Sequence, residues 1–148
     1  WEQFTLHVIP MLNPDGVDYQ INGVSPENPL YSRVLAMNGG SDDFTHWQAN
    51  ARGVDLNHNY DAGFQEYKQL EAEQGIGCGA PTRYSGQEPE SEPEVKGLCN
   101  YIRFHDHIRL ILTLHTQGEE IYYRSGGKTL PGTCAAARKI SSLCGYRL

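Results

Sequence analysis

The chain has 148 residues and a formal charge of −6 at pH 7, with a pI near 5.4; this argues against nucleic-acid binding, where a basic face supplies most of the affinity. No apolar run approaches the roughly twenty residues a membrane-spanning helix needs, and the amino terminus has neither the basic region nor the apolar core of a secretion signal. The length suits one domain, 1–148, with a core that removes about 70% of the unfolded chain's surface from water. Localisation stays open, and a start at Trp1-Glu2-Gln3 without methionine reads as an excised piece of a longer chain.

In chain order, Phe4 to Leu12 is β-branched and apolar and is closed by Asn13-Pro14-Asp15-Gly16, which predicts a buried strand ending in a tight turn, with His7 structural inside it. Asn28-Pro29 then offers a cap and a first-turn proline. Leu30, Val34 and Met37 follow at helical spacing up to Asn38-Gly39-Gly40, so a helix of about ten residues is expected. Ser41 to His46 reads as loop. Trp47 to Asp61 carries Asn50, Arg52, Asp55, Asn57, His58, Asn59 and Asp61 with too little apolar periodicity for a helix or a strand, and reads as a shaped functional loop.

A helix is expected from Ala62 to about Gln74, with Phe64, Tyr67 and Leu70 inward and the glutamates on a solvated face. Gly75 to Gln87 is a loop. Ser91-Glu92-Pro93-Glu94 has the form of a capping box opening a helix that buries Val95, Leu98, Cys99 and Ile102. His105-Asp106-His107 is a His-x-His pair able to bind metal, but at a helix-to-strand turn it reads first as solvated. Ile108 to Leu114 is almost continuously apolar, as in a strand buried on both faces. Its carboxyl end presents His115, the place where open α/β sheets put their chemistry. A short strand at 119–124, a glycine-rich loop at 125–129 and a helix at 131–143 complete the pattern. Helices alternating with apolar strands place the chain in the α/β class, as a mixed, largely buried sheet flanked by helices. Cys78, Cys99, Cys134 and Cys144 form no Cys-x-x-Cys pair, which speaks against a zinc knuckle; they read as packing cysteines, with Cys134 and Cys144 the nearest pair in sequence.

Taken together, Asn13-Pro14-Asp15-Gly16, Arg52-Gly53-Val54-Asp55-Leu56-Asn57-His58-Asn59-Tyr60, Tyr84-Ser85-Gly86 with Ser91-Glu92-Pro93-Glu94, and Leu114-His115-Thr116-Gln117-Gly118 occur in an order that resembles the zinc carboxypeptidase family. Within it, Gly53 to Asp61 and His115 to Tyr122 look most like the bacterial γ-D-glutamyl-diamino-acid endopeptidases, which cut peptidoglycan stem peptides. The resemblance implies a zinc metallopeptidase domain in which His115 is one of three metal ligands and zinc activates water. The family's other two ligands come from a His-x-x-Glu motif before the Asn-Pro-Asp-Gly turn, and its general-base glutamate from a strand well beyond the metal histidine. Neither matches a position in this chain, so the chain by itself is expected to be inactive and without stoichiometric zinc at His115.

Substrate recognition departs from the family as well. Asn57-His58 stands where carboxypeptidases clamp a C-terminal carboxylate with an Asn-Arg pair, and histidine cannot reproduce the guanidinium fork. Gln48 stands where the family often has an oxyanion-stabilising arginine, a role for which Arg52 is the available substitute. Asp55, Asn57 and Asn59 also suit hydrogen bonding that only shapes the loop. Glu119 and Glu120 suit either a cationic amine of the substrate or a solvated turn. The expected partner is then a cell-wall stem peptide, with no nucleic acid or membrane, and self-association through exposed sheet edges is a further expectation. Two other readings stand beside this one: a non-catalytic binding module for cell-wall peptides, and a zinc-dependent acylase.

Overall fold

In the computed structural model, which describes residues 4–115 and 118–148, the Asn13-Pro14-Asp15-Gly16 segment opens a helix instead of closing a turn. Asn13 caps α1 (Pro14–Asn22), its Oδ1 accepting the Gly16 N–H at 3.0 Å, with Pro14 in the first turn and Asp15 favourably placed at the positive end of the helix dipole. The residues that suggest a turn are those that start a helix. Gly16 is there for close approach, since a Cβ would lie 2.5 Å from the Ala49 carbonyl oxygen.

The chain divides into two compact units, Trp1–His107 and Ile108–Leu148. In the first, Asn28 Oδ1 accepts the Leu30 N–H and α2 runs over Tyr31–Met37, so the helix starts two residues later than the Asn28-Pro29 signal suggests. Asn38 then donates to the Ser41 and Asp43 carbonyls and folds the glycine turn. Tyr19 of α1, Val34 of α2, Phe44, Trp47 and Ala49 make the hydrophobic core, with the three aromatic rings 5.6–6.4 Å apart in edge and tilted contacts.

Helix α3 spans Phe64–Glu73, and its buried face is not the expected one: Phe64 is inside, Leu70 is 51% exposed and Glu71 only 3%. Helix α4 spans Pro93–Phe104 and buries Val95 completely. Its capping box does not form, because Glu92 and not Ser91 occupies the cap position and no side chain caps the helix. The Ser91 hydroxyl instead donates to Glu92 and accepts from Asn59.

The largest correction concerns the sheet. Neither 4–12 nor 108–114 is in a strand; the former leaves Phe4 84% and Leu6 83% exposed, the latter Leu114 96%. Among the described residues the one sheet is a two-stranded hairpin, β1 (Arg124–Ser125) and β2 (Lys128–Thr129), joined through Gly126 and Gly127, both at positive φ as a primed hairpin turn requires. A strand's apolar faces and backbone groups are satisfied only by neighbours, so the pattern that marks a buried strand does not by itself create one. In the second unit, β2 leads to α5 (Thr133–Cys144), which buries Ala137, and all four cysteines are free.

Candidate substrate-binding site

The segment from Trp47 to Asp61 has almost no regular structure beyond a single 3₁₀ turn at Leu56–His58, yet Asn50, Asp55 and Asn59 are 0–3% exposed. Buried polar groups persist only when hydrogen-bonded, and each of these three replaces a missing secondary-structure ladder. Asn50 accepts the Arg52 and Val54 N–H groups at 3.0 and 3.1 Å and donates to Glu92 Oε2 at 2.7 Å. Asp55 accepts from the Asn57 N–H, the Arg83 N–H and the Thr82 hydroxyl at 2.9–3.2 Å. Asn59 spreads its amide N–H groups over the Ser85 carbonyl, the Glu88 carbonyl and the Ser91 hydroxyl, and its oxygen accepts the Glu92 N–H.

Two glutamates that the sequence placed in solvent or in a helix cap belong to this scaffold. Glu92, 2% exposed, receives Asn50 and lies 3.5 Å from Arg52 Nε. Glu71 receives Lys68 Nζ at 2.6 Å and both the N–H and the hydroxyl of Ser85 at 2.7 and 2.6 Å. Burial alone would raise its pKa, but the hydrogen bonds from Lys68 and Ser85 outweigh it and hold the carboxyl below its ordinary value. Nothing in the glutamate-rich run of α3 distinguishes Glu71, apart from its position one turn after Tyr67.

This framework holds up a small surface. His58 lies flat on Tyr67, with ring centroids 3.9 Å apart and planes 6° from parallel, and its Nε2 is 3.8 Å from Asp55 Oδ2. Tyr67 donates to the Arg83 carbonyl at 3.0 Å, and its phenol is pushed above its usual value by burial first and then by the charges of Asp55 and Glu71, so it stays protonated. Asn57, exposed, and His58, half-buried, line an open cavity of about 420 Å³ together with Tyr60, Phe64, Glu66 and Tyr67. Gln48 is linked to the same group through Thr82, whose hydroxyl lies 3.1 Å from both Gln48 Oε1 and Asp55 Oδ2. The structure thus brings Gln48, Asn57 and His58 onto one hydrogen-bonded frame, whereas Arg52 is engaged with Glu92.

His115 is exposed in the second unit, and Thr116 and Gln117 of its motif lie outside the described residues. Glu120 pairs with Arg147 at 2.6 Å and accepts from Tyr122, and Glu119 sits at a positive φ, which fits a surface turn. Catalytic zinc takes three protein ligands. Among the described residues no three His, Cys, Asp or Glu side chains bring their donor atoms to a common point.

The family model for zinc carboxypeptidases (Peptidase_M14) matches residues 1–141. The chain belongs to the zinc carboxypeptidase family. Gamma-D-glutamyl-L-diamino acid endopeptidase 1 of Lysinibacillus sphaericus is 32% identical over 99% of the chain and 36% of its own length. Uncharacterized protein YqgT of Bacillus subtilis is 31% identical over 95% of the chain and 36% of its own length. Carboxypeptidase A1 of Sus scrofa is 29% identical over 79% of the chain and 24% of its own length. The chain therefore spans about a third of the length of the first two relatives. No solved structure matches it. Family membership implies an α/β fold, of which the described residues hold five helices and the small hairpin.

Proposed function

We propose that the chain is the substrate-recognition part of a metallopeptidase that hydrolyses γ-D-glutamyl-diamino-acid bonds in peptidoglycan stem peptides. The observation that carries this reading is the cavity beside Asn57 and His58, set on a frame of buried, hydrogen-bonded side chains; the endopeptidase named among the relatives supports it. In this reading Asn57 and His58 meet the carboxylate of the diamino acid. A single imidazole in place of a guanidinium gives a weaker, less directional hold than a bidentate clamp, in keeping with a substrate that need not end at that carboxylate.

Asp55 orients His58 from behind, and Glu66, on the same cavity, offers a counter-charge to the second amine of a diaminopimelate-type residue. Gln48 hydrogen-bonds the carbonyl next to the scissile bond, while Arg52 steadies Glu92. His115 contributes one ligand to the zinc of the whole enzyme, a group whose chemistry is to polarise a carbonyl and activate water. The test is hydrolysis by the full-length protein. The expected result is cleavage of γ-D-glutamyl-diaminopimelate peptides; release of product only from N-acyl amino acids would overturn the peptidase reading.

A further inference from the structure

His58 is held in main chain and side chain alike. Its N–H closes the 3₁₀ turn on the Asp55 carbonyl at 3.0 Å, and the Asp55 side chain caps the same turn through the Asn57 N–H. That leaves the two torsions of the imidazole. Tyr67 of α3 sets the ring plane by stacking on it, with 3.9 Å between centroids and 6° between planes, and Asp55 Oδ2, 3.8 Å from Nε2, faces one edge.

Both of these neighbours are tied to one residue. Arg83 donates its N–H to Asp55 Oδ2 at 2.9 Å, and its carbonyl accepts the Tyr67 hydroxyl at 3.0 Å. It does so at a φ of +67°, a left-handed conformation that is costly for a residue with a Cβ. Such a conformation persists where the surroundings over-determine it, and ligand clamps are among the places where it clusters. The neighbouring Tyr84 carbonyl accepts the Asp55 N–H at 2.7 Å and adds a further tie to the same segment. The exposed Arg83 guanidinium lies 3.4 Å from Gln74 Oε1, so what Arg83 brings to His58 is its main chain.

Histidine at this place makes the bracing consequential. A guanidinium presents a fork of N–H donors to a carboxylate, whereas an imidazole offers a single N–H along a single direction, so the aim of the ring decides whether the hydrogen bond forms. A ring already aimed also spares the ordering cost that binding otherwise carries. We propose that Tyr67, braced by the Arg83 main chain, is a positioning residue that aims His58 at the substrate carboxylate and so sets the carboxylate specificity of the cavity. The inference rests on the reading of Asn57 and His58 as carboxylate ligands. Two accounts compete with it: the stack only steadies the junction of the 47–61 loop with α3, or Tyr67, which itself lines the cavity, touches the substrate directly.

The test is steady-state kinetics of the full-length protein on a γ-D-glutamyl-diaminopimelate peptide and on the analogue whose diaminopimelate carboxylate is amidated. Tyr67→Ala is expected to raise KM about fivefold on the free acid with kcat within about twofold, and to change neither on the amide. Tyr67→Phe keeps the ring and loses the tether to Arg83, and a KM rise of about twofold to threefold is expected on the free acid. In the His58→Ala background Tyr67→Ala should move KM by less than about twofold, as for two residues that act through one contact. An unchanged KM in both Tyr67 variants, an equal effect on the two peptides, a fall in kcat alone, or an undiminished effect in the His58→Ala background would each overturn the proposal. Circular dichroism shows whether Tyr67→Ala is folded, and where it is not, Tyr67→Phe decides by the same criteria. An unchanged KM in His58→Ala itself brings down the reading of the site and this inference with it. A raised KM in His58→Ala beside unchanged Tyr67 variants strikes the positioning role alone.

Discussion

Two regions of the chain invert the usual relation between pattern and order. The 47–61 segment has almost no regular structure and a polar sequence, yet its Ala49, Asn50 and Asn59 are only 0–2% exposed. The segments 4–12 and 108–114 have the most strand-like sequences and are in no strand, with most of their large apolar side chains exposed. The difference is where the partners come from. Asn50, Asp55 and Asn59 hydrogen-bond to main chain and side chains within the same unit, so the loop is closed by its own chemistry. An apolar strand has no such means and is ordered only by what is laid against it.

That contrast is sharpest at Asn59, which holds four groups at zero exposure. Asn59→Ala is expected to cost about 3–5 kcal/mol, because it leaves several buried partners unsatisfied; urea denaturation followed by circular dichroism measures it, and a loss under about 1 kcal/mol would remove the loop's claim to be a scaffold. The apolar counterpart is smaller. Val34→Ala, in the aromatic core, should cost about 2 kcal/mol and Leu114→Ser less than about 0.5 kcal/mol. Equal losses would show that 108–114 is packed in solution.

Glu71 gives the same contrast a pH dependence. Its folded pKa is lowered, so it adds stability above its unfolded value near 4.3 and that contribution fades as pH falls through the folded value. Glu71→Gln should therefore destabilise the first unit by about 1–3 kcal/mol at pH 7 and by progressively less in acid. Denaturation midpoints for both proteins between pH 7 and pH 3 test this, and a constant difference would remove the charge from the explanation.

The sequence made α2, α3, α4 and α5 legible because caps, proline and apolar spacing are local signals, and it made 47–61 legible as a shaped, irregular loop through its density of polar side chains. What it hid are the features set by distant partners. Asn13-Pro14 signals a turn and a helix start equally well. Glu92 looks like part of a capping box until Asn50 and Arg52 are seen to engage it, and Glu71 looks like one more solvated glutamate until Ser85 reaches it. Among the candidate site residues, Gln48, Asn57 and His58 could be named from their places in the motif, but Tyr67 beneath His58 could not, since the stack joins a loop to the next helix.

The central claim, that the Asn57–His58 cavity holds the substrate's carboxylate, is tested most directly by steady-state kinetics of His58→Ala in the full-length protein on a γ-D-glutamyl-diaminopimelate peptide. A rise in KM of at least tenfold, reversed for the analogue whose diaminopimelate carboxylate is amidated, is the predicted result; a KM within twofold of the unsubstituted protein on both peptides would contradict it.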